Sequence, residues 1–297
     1  MRVRRVLGLA AVAMLIASSG VRAQRKPTGD PVPVLERIAR HLSDYYSRAQ
    51  SLIGQEEVVQ QPIKSDMSMD GMPMRYAYRL RLEWTPPERD EVPGATMMRE
   101  LLTVNGRRPR PKDKPKCLQP SEAWPEPLTM FRPEEREAWE FKWVGPGRMD
   151  GVETIALDFH ERPVKPQPEP EANFRQGADE EDQCASYSIP GRTSGRVWVD
   201  SHSGEVLRLD QSLFGPIDIK VPKELQNKWR TSYFTIDRYM KSTRYKRVAF
   251  QDPDESLMLP ESIQTLTISR GNAQPMRVTQ RFTHYRRFVT GGRLVEE

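Results

Sequence analysis

The chain has 297 residues, with 46 Lys and Arg against 41 Asp and Glu, a formal charge of +5 and 37% hydrophobic residues. Four of the cations, Arg2, Arg4, Arg5 and Arg22, lie in the first 23 residues with no acid among them, so the rest of the chain carries only +1. That removes the clustered basic footprint of a nucleic-acid binder, and 26 prolines with a mean hydropathy of -0.71 exclude a core of long apolar segments.

The first 23 residues read as an export signal: arginines, an apolar run over 6–17, and the small-residue ending Val21-Arg22-Ala23, with cleavage expected before Gln24. The run is shorter than the 18 or more apolar residues of a spanning helix. Cys117 is the first cysteine, so the cleavage site offers no acceptor for a lipid anchor. The expectation is a soluble periplasmic or secreted protein. Residues 24–297 are read as one β-rich domain with insertions, a size that all-β units reach.

A helix is expected after Asp30-Pro31, where Leu35, Ile38, Leu42, Tyr45, Ala49 and Leu52 recur at spacings of three and four and Gly54 ends the run. Glu36, Arg37, Arg40, Asp44 and Arg48 occupy the other face. His41 sits beside the apolar stripe as a boundary residue.

Next comes Met67-Ser68-Met69-Asp70-Gly71-Met72-Pro73-Met74. Thioethers are soft ligands that suit Cu(I), so Met67, Met69, Met72 and Met74 form an alternative metal site. The competing reading is structural, because Met72 and Met74 continue the apolar parity of the strand that follows, and Met fills irregular apolar space. That strand runs over 72–84, where Tyr76, Tyr78, Leu80, Leu82 and Trp84 alternate with mostly charged residues.

Further strands are expected over 55–60, 99–104, 139–144, 153–160, 196–200, 206–210, 233–239, 244–250, 262–269 and 276–288, joined by turns such as Asn105-Gly106 and Ser203-Gly204. The fold class is mainly β: a large curved antiparallel sheet or half-barrel, with the N-terminal amphipathic helix on its concave face. Proline-rich insertions interrupt it at about 105–137 and 163–193, one holding Cys117 and the other Cys184. An exported chain with two cysteines is expected to pair them, closing a loop of nearly seventy residues that contributes roughly 4 kcal/mol. Insertions of this length serve as lids, as binding loops or as a surface staple.

Residues 195–200, Gly-Arg-Val-Trp-Val-Asp, the turn 201–204 and the returning Glu205-Val206-Leu207-Arg208-Leu209 resemble the Trp-x-Asp hairpin of the periplasmic lipoprotein carriers, the LolA and LolB superfamily. Val248-Ala249-Phe250 followed by Leu259-Pro260-Glu261-Ser262-Ile263 is similar to that superfamily's Leu-Pro strand entry. The resemblance implies an incomplete antiparallel barrel plugged by helices, with an apolar cavity for the acyl chains of a lipoprotein or lipid. This chain is longer than those carriers by its two insertions.

The sequence carries no metal-binding His pair, no nucleophile elbow and no phosphate-cradling glycine loop. Asp158 and His160 share a strand face and suit an orienting or metal-binding pair, against the plainer reading of a solvent face. His202 and His284 have no identifiable partners in the sequence. The acidic run 179–182 and the basic excess after residue 219 read as solvated surfaces. The reading is therefore a non-enzymatic protein, without a cofactor, without a nucleic-acid partner and not membrane-spanning. Its expected partners are a lipid or acylated protein and an envelope protein. Tyr76, Tyr78, Leu80, Leu82, Trp84, Leu35, Ile38 and Leu42 are the expected cavity lining; plain core packing demands the same pattern. An envelope scaffold is the third alternative beside the copper site.

Overall fold

The computed structural model describes residues 29–48, 51–85, 94–113, 128–163, 165, 171–176, 183–188, 192–221, 223, 226–227, 230–251, 254–270 and 274–287. The export signal and Cys117 lie outside the described residues, and of Cys184 only the backbone position falls within them. Helix α1 (Val32–Arg48) starts as its Asp30-Pro31 entry dictates: Asp30 Oδ1 accepts from the Val32 amide at 3.0 Å, occupying a donor that the first turn leaves unmet. Among the described residues thirteen strands follow: β1 (Ser51–Pro62), β2 (Met74–Thr85), β3 (Gly94–Val104), β4 (Trp139–Met149), β5 (Val152–Glu161), β6 (Glu171–Gln176), β7 (Gln183–Ser188), β8 (Thr193–Asp200), β9 (Val206–Leu213), β10 (Ile217–Lys220), β11 (Tyr233–Gln251), β12 (Asp254–Arg270) and β13 (Met276–Arg287).

Eleven strands form one curved, open antiparallel sheet in the order β3-β2-β1-β13-β12-β11-β9-β8-β5-β4, with β10 paired to β11. The last strand thus closes onto the first, which joins the N-terminal hairpin to the C-terminal one. Register shifts leave extra residues in β1 and β13, β3, β4, β9, β11 and β12, which sharpen twist and bend the sheet.

One transverse row crosses ten strands on the concave side. It runs from Val104 at the β3 edge through Tyr76, Val58, Gln280 and Ile263 to Thr243, then through Leu209, Val197 and Leu157 to Trp143 at the other edge. All but Trp143 are buried. The main core lies between this face and Val34, Leu35, Ile38, Leu42 and Tyr45 of α1. A smaller core, Ile217, Ile219, Val221, Phe234 and Ile236, forms where β10 lies along the start of β11.

Several expected boundaries change. Leu52 belongs to β1, where it is buried in the sheet core, and Gly54 lies inside that strand rather than ending the helix. A Cβ on Gly54 stands 3.3 Å from the Tyr285 ring, so the position favours a glycine for packing. The strands expected over 233–239 and 244–250 are one 19-residue strand, β11. Inside the second proline-rich insertion, β6 and β7 pair as a separate two-stranded sheet. The first insertion contributes core as well: Leu128, Met130 and Phe131 are buried around a short 3₁₀ turn.

Candidate functional site

The face of α1 and the concave side of the sheet meet as one apolar layer. Leu35, Ile38 and Leu42 from the helix and Tyr76, Tyr78, Leu80 and Leu82 from β2 are all buried in the same cluster. Trp84 continues their parity in β2; nothing of its side chain falls within the described residues. Arginine side chains tie α1 to its neighbours. Arg37 Nη1 donates to the Ser201 carbonyl at 2.8 Å, and Arg136 Nη2 donates to the Leu35 and Phe131 carbonyls, both at 3.1 Å. The second tie makes the first insertion a clamp on the helix. Phe131 packs on Phe141, with ring centroids 5.7 Å apart.

The resembling hairpin has clear physical tasks. Gly195 lies under the Phe159 ring and against the Asp210 carbonyl, where a Cβ has no room. Asp200 Oδ1 accepts from the His202 and Ser203 amides at 2.7 and 3.0 Å. Those bonds hold its carboxyl below the usual range, against burial, which pushes it up. Gly204, at φ 80°, allows the turn to press on the backbone of Arg37. The hairpin is thereby a seat for α1.

An ion pair sits inside the apolar layer. Glu56 of β1 is 0% exposed and Arg99 of the edge strand β3 is 11% exposed at its side chain. Arg99 Nη2 donates to Glu56 Oε1 at 3.0 Å, and Arg99 Nε lies 3.0 Å from Oε2, close enough for ion pairing without hydrogen-bond alignment. Gln280 Nε2 donates to the same Oε1 at 2.8 Å. The Arg99 guanidinium lies 5.8 Å from the centre of the Tyr78 ring on the strand between. Burial raises the Glu56 carboxyl above its ordinary pKa, and the opposing pull of Arg99 and Gln280 is the weaker influence. Burial also raises the Tyr78 and Tyr285 hydroxyls, with Arg99 opposing it at Tyr78 and Tyr45 and Glu56 reinforcing it at Tyr285.

Sequence reasoning missed this pair, although Glu56 shares the parity of Val58 and Arg99 lies between Met97 and Leu101. Both signals are charges on an otherwise apolar alternation.

The other expected sites separate. Asp158 accepts from Arg196 Nε and Nη2 at 2.6 and 3.0 Å on the convex face, while His160 Nε2 lies 3.2 Å from Glu140 Oε2 on the opposite neighbouring strand. They do not act on each other. His202 accepts from or donates to Ser201 Oγ at 3.0 Å, and His284 engages Thr283 Oγ1 at 2.9 Å; both residues are at the surface. The methionine segment forms the exposed turn between β1 and β2. Met72 is 86% exposed and Met67, Met69 and Met74 are exposed too, so Met72 and Met74 do not extend the apolar face. The reason is local: Gly71 at φ 85° and Pro73 precede β2, and Met74 pairs with Gln60 near the end of the sheet. Among the described residues no group of three or more His, Cys, Asp or Glu is placed to hold a metal.

An open cleft of about 340 Å³ lies at the hairpin end of the sheet, where Leu207, Tyr245 and Met258 meet Arg244, Arg247 and Glu205. None of the expected lining residues borders it. No described helix is long and apolar enough to cross a membrane.

No family model matches the sequence, and no curated protein matches it. Among solved structures the chain is similar to a LolA superfamily protein from Nitrosomonas europaea, at 10% identity over 86% of this chain and 94% of that one, with a TM-score of 0.32. It is also similar to a DUF1329 family protein from Desulfovibrio piger, at 7% identity over 88% of this chain and 95% of that one, with a TM-score of 0.39.

Proposed function

We propose that this is an exported, non-enzymatic binding protein that holds the acyl chain of a lipid or acylated protein between α1 and the concave face of its sheet. Residues 1–23 are its export signal, and 24–297 form the working domain. The observation that supports the reading is the pairing of a broad apolar sheet face with one amphipathic helix. Hydrophobic association is non-directional, so an acyl chain and a helix stripe are interchangeable occupants of such a face.

The magnitudes set a condition on the ligand. Lifting Val34, Leu35, Ile38, Leu42 and Tyr45 off the sheet costs roughly 1.5–3 kcal/mol for each side chain, or about 8–15 kcal/mol in all. An acyl chain returns about 0.8 kcal/mol per buried CH₂, so a chain of roughly 14 carbons reaches the middle of that range. Short chains therefore fail and long or paired chains succeed. Titration with fluorescent fatty acids of increasing length tests this, together with native mass spectrometry of the exported protein. Uptake should begin only above roughly ten carbons and strengthen with each further CH₂. Absence of uptake at every length rejects the reading.

A further inference from the structure

The concave face is not uniformly apolar, and its exceptions fall together. In the row that crosses ten strands, the polar positions are Gln280 and Thr243, on β13 and β11. In the next row, Gln60 on β1 and Lys241 on β11 are linked through Val278 and Thr265 by consecutive cross-strand pairs. Glu56 and Arg99 adjoin this band, and Gln280 binds Glu56 directly. Glu56, Gln60, Lys241, Thr243 and Gln280 are all buried. Thr243 Oγ1 is buried and has no hydrogen-bond partner among the described residues.

Buried polar groups cost free energy even when paired, and an apolar side chain at the same place costs nothing of that kind. The remaining positions of the row from Val104 to Trp143 show that this sheet accepts apolar residues there. Inward-pointing charge on an edge strand protects the edge from pairing with other chains, which accounts for Arg99 alone. It does not account for Lys241, which lies on β11 in the middle of the sheet.

We infer that this polar band, with Lys241 as its cation, seats the acidic head group of an amphiphile, a carboxylate or a phosphate, whose chain lies under α1. The inference rests on the acyl-site reading and names the class of ligand for it. Arg99, on the edge strand β3, lies five strand spacings from Lys241 and is held by Glu56, so it takes no part in this seat. Gln60 and Lys241 stand three strand spacings apart, roughly 14 Å, a band broad enough to take a head group and its bound water.

The test is displacement of a fluorescent fatty acid from the full-length protein by hexadecanoic acid, hexadecyl phosphate and hexadecanol. Acetate and inorganic phosphate serve as head groups without a chain. Both long-chain acids should displace the probe at concentrations roughly tenfold or more below the alcohol, since each gains a charge-assisted hydrogen bond. Acetate and phosphate alone should displace nothing, because the chain supplies the affinity. Lys241→Met should weaken both acids roughly tenfold and leave the alcohol within about threefold. Thermal unfolding followed by circular dichroism checks that the variant folds. Equal displacement by acids and alcohol, or a Lys241→Met variant that weakens all three ligands alike, overturns the inference and leaves the acyl site standing. Failure of all three to displace, with no probe uptake, overturns both.

Discussion

The same carboxylate–guanidinium chemistry occurs on both faces of this sheet with opposite consequences. On the convex face Arg196 meets Asp158 across a strand pair, Arg208 binds Asp210 through two bonds of 2.8 Å, and Ser242 Oγ donates to Asp210 at 2.6 Å. Trp198 lies between the cations, its ring centre 5.9 Å from Arg196 and 4.9 Å from Arg208. These side chains are 28–45% exposed, so water takes over much of what either partner loses. On the concave face, Glu56 and Arg99 reach over Tyr78 from strands that do not pair with each other, and little water reaches them. The convex ladder ties four strands at small cost; the concave pair is expensive to hold and is suited to a role other than stability.

The largest expected effect follows from breaking the buried pair. Glu56→Leu or Arg99→Leu alone leaves one charge buried without its partner and should cost about 3–5 kcal/mol, read as a lower denaturant midpoint. Replacing both by Leu should recover most of that loss. If each single variant costs below about 1 kcal/mol, the concave pair behaves like the convex one and the contrast fails.

An intermediate effect depends on pH. The folded-state pKa of Glu56 is raised from its ordinary 4.5, so folding favours the protonated carboxyl. The associated stability is fully present below about pH 4.5 and is lost as the pH rises through the folded-state value. The wild type should therefore gain stability relative to Glu56→Gln as the pH falls from neutral, with the gain levelling off below about 4.5. Melting curves of the two proteins across that range check the sign. A wild type that loses ground to Glu56→Gln on acidification reverses the assignment of burial as the dominant influence.

How far the sequence reveals these two regions depends on the regularity of the backbone. The alternation of β2 from Tyr76 to Leu82 is legible because its pairing with β1 runs without a shift, and the helix stripe from Leu35 to Tyr45 follows the helical period. β11 is harder: Asp237 is an extra residue between Ile236 and Arg238, and the buried positions pass from Phe234 and Ile236 to Lys241 and Thr243 and then to Phe250, so one strand reads as two. Leu52 continues the helix spacing by coincidence of register and is claimed instead by the sheet core. The Glu56–Arg99 pair is 43 residues apart in sequence and becomes a pair only through the β1-β2-β3 order. Each charge was visible as an interruption of an apolar face; their meeting was a property of topology.

The smallest expected effect tests the convex half of the contrast. Asp158 and Arg196 face each other directly in the β5–β8 register, so a double-mutant cycle of Asp158→Asn and Arg196→Gln isolates their coupling. Two aligned bonds place it at the upper end of the exposed range, about 1 kcal/mol, and Trp198 gives Arg196 a second contact that survives loss of the carboxylate. Screening shortens to about 3 Å at 1 M salt, so the coupling should fall there, whereas the buried Glu56–Arg99 coupling should change little. Equal salt sensitivity of the two couplings means that water reaches both pairs, and the division of the sheet into a wet face and a dry one is then wrong.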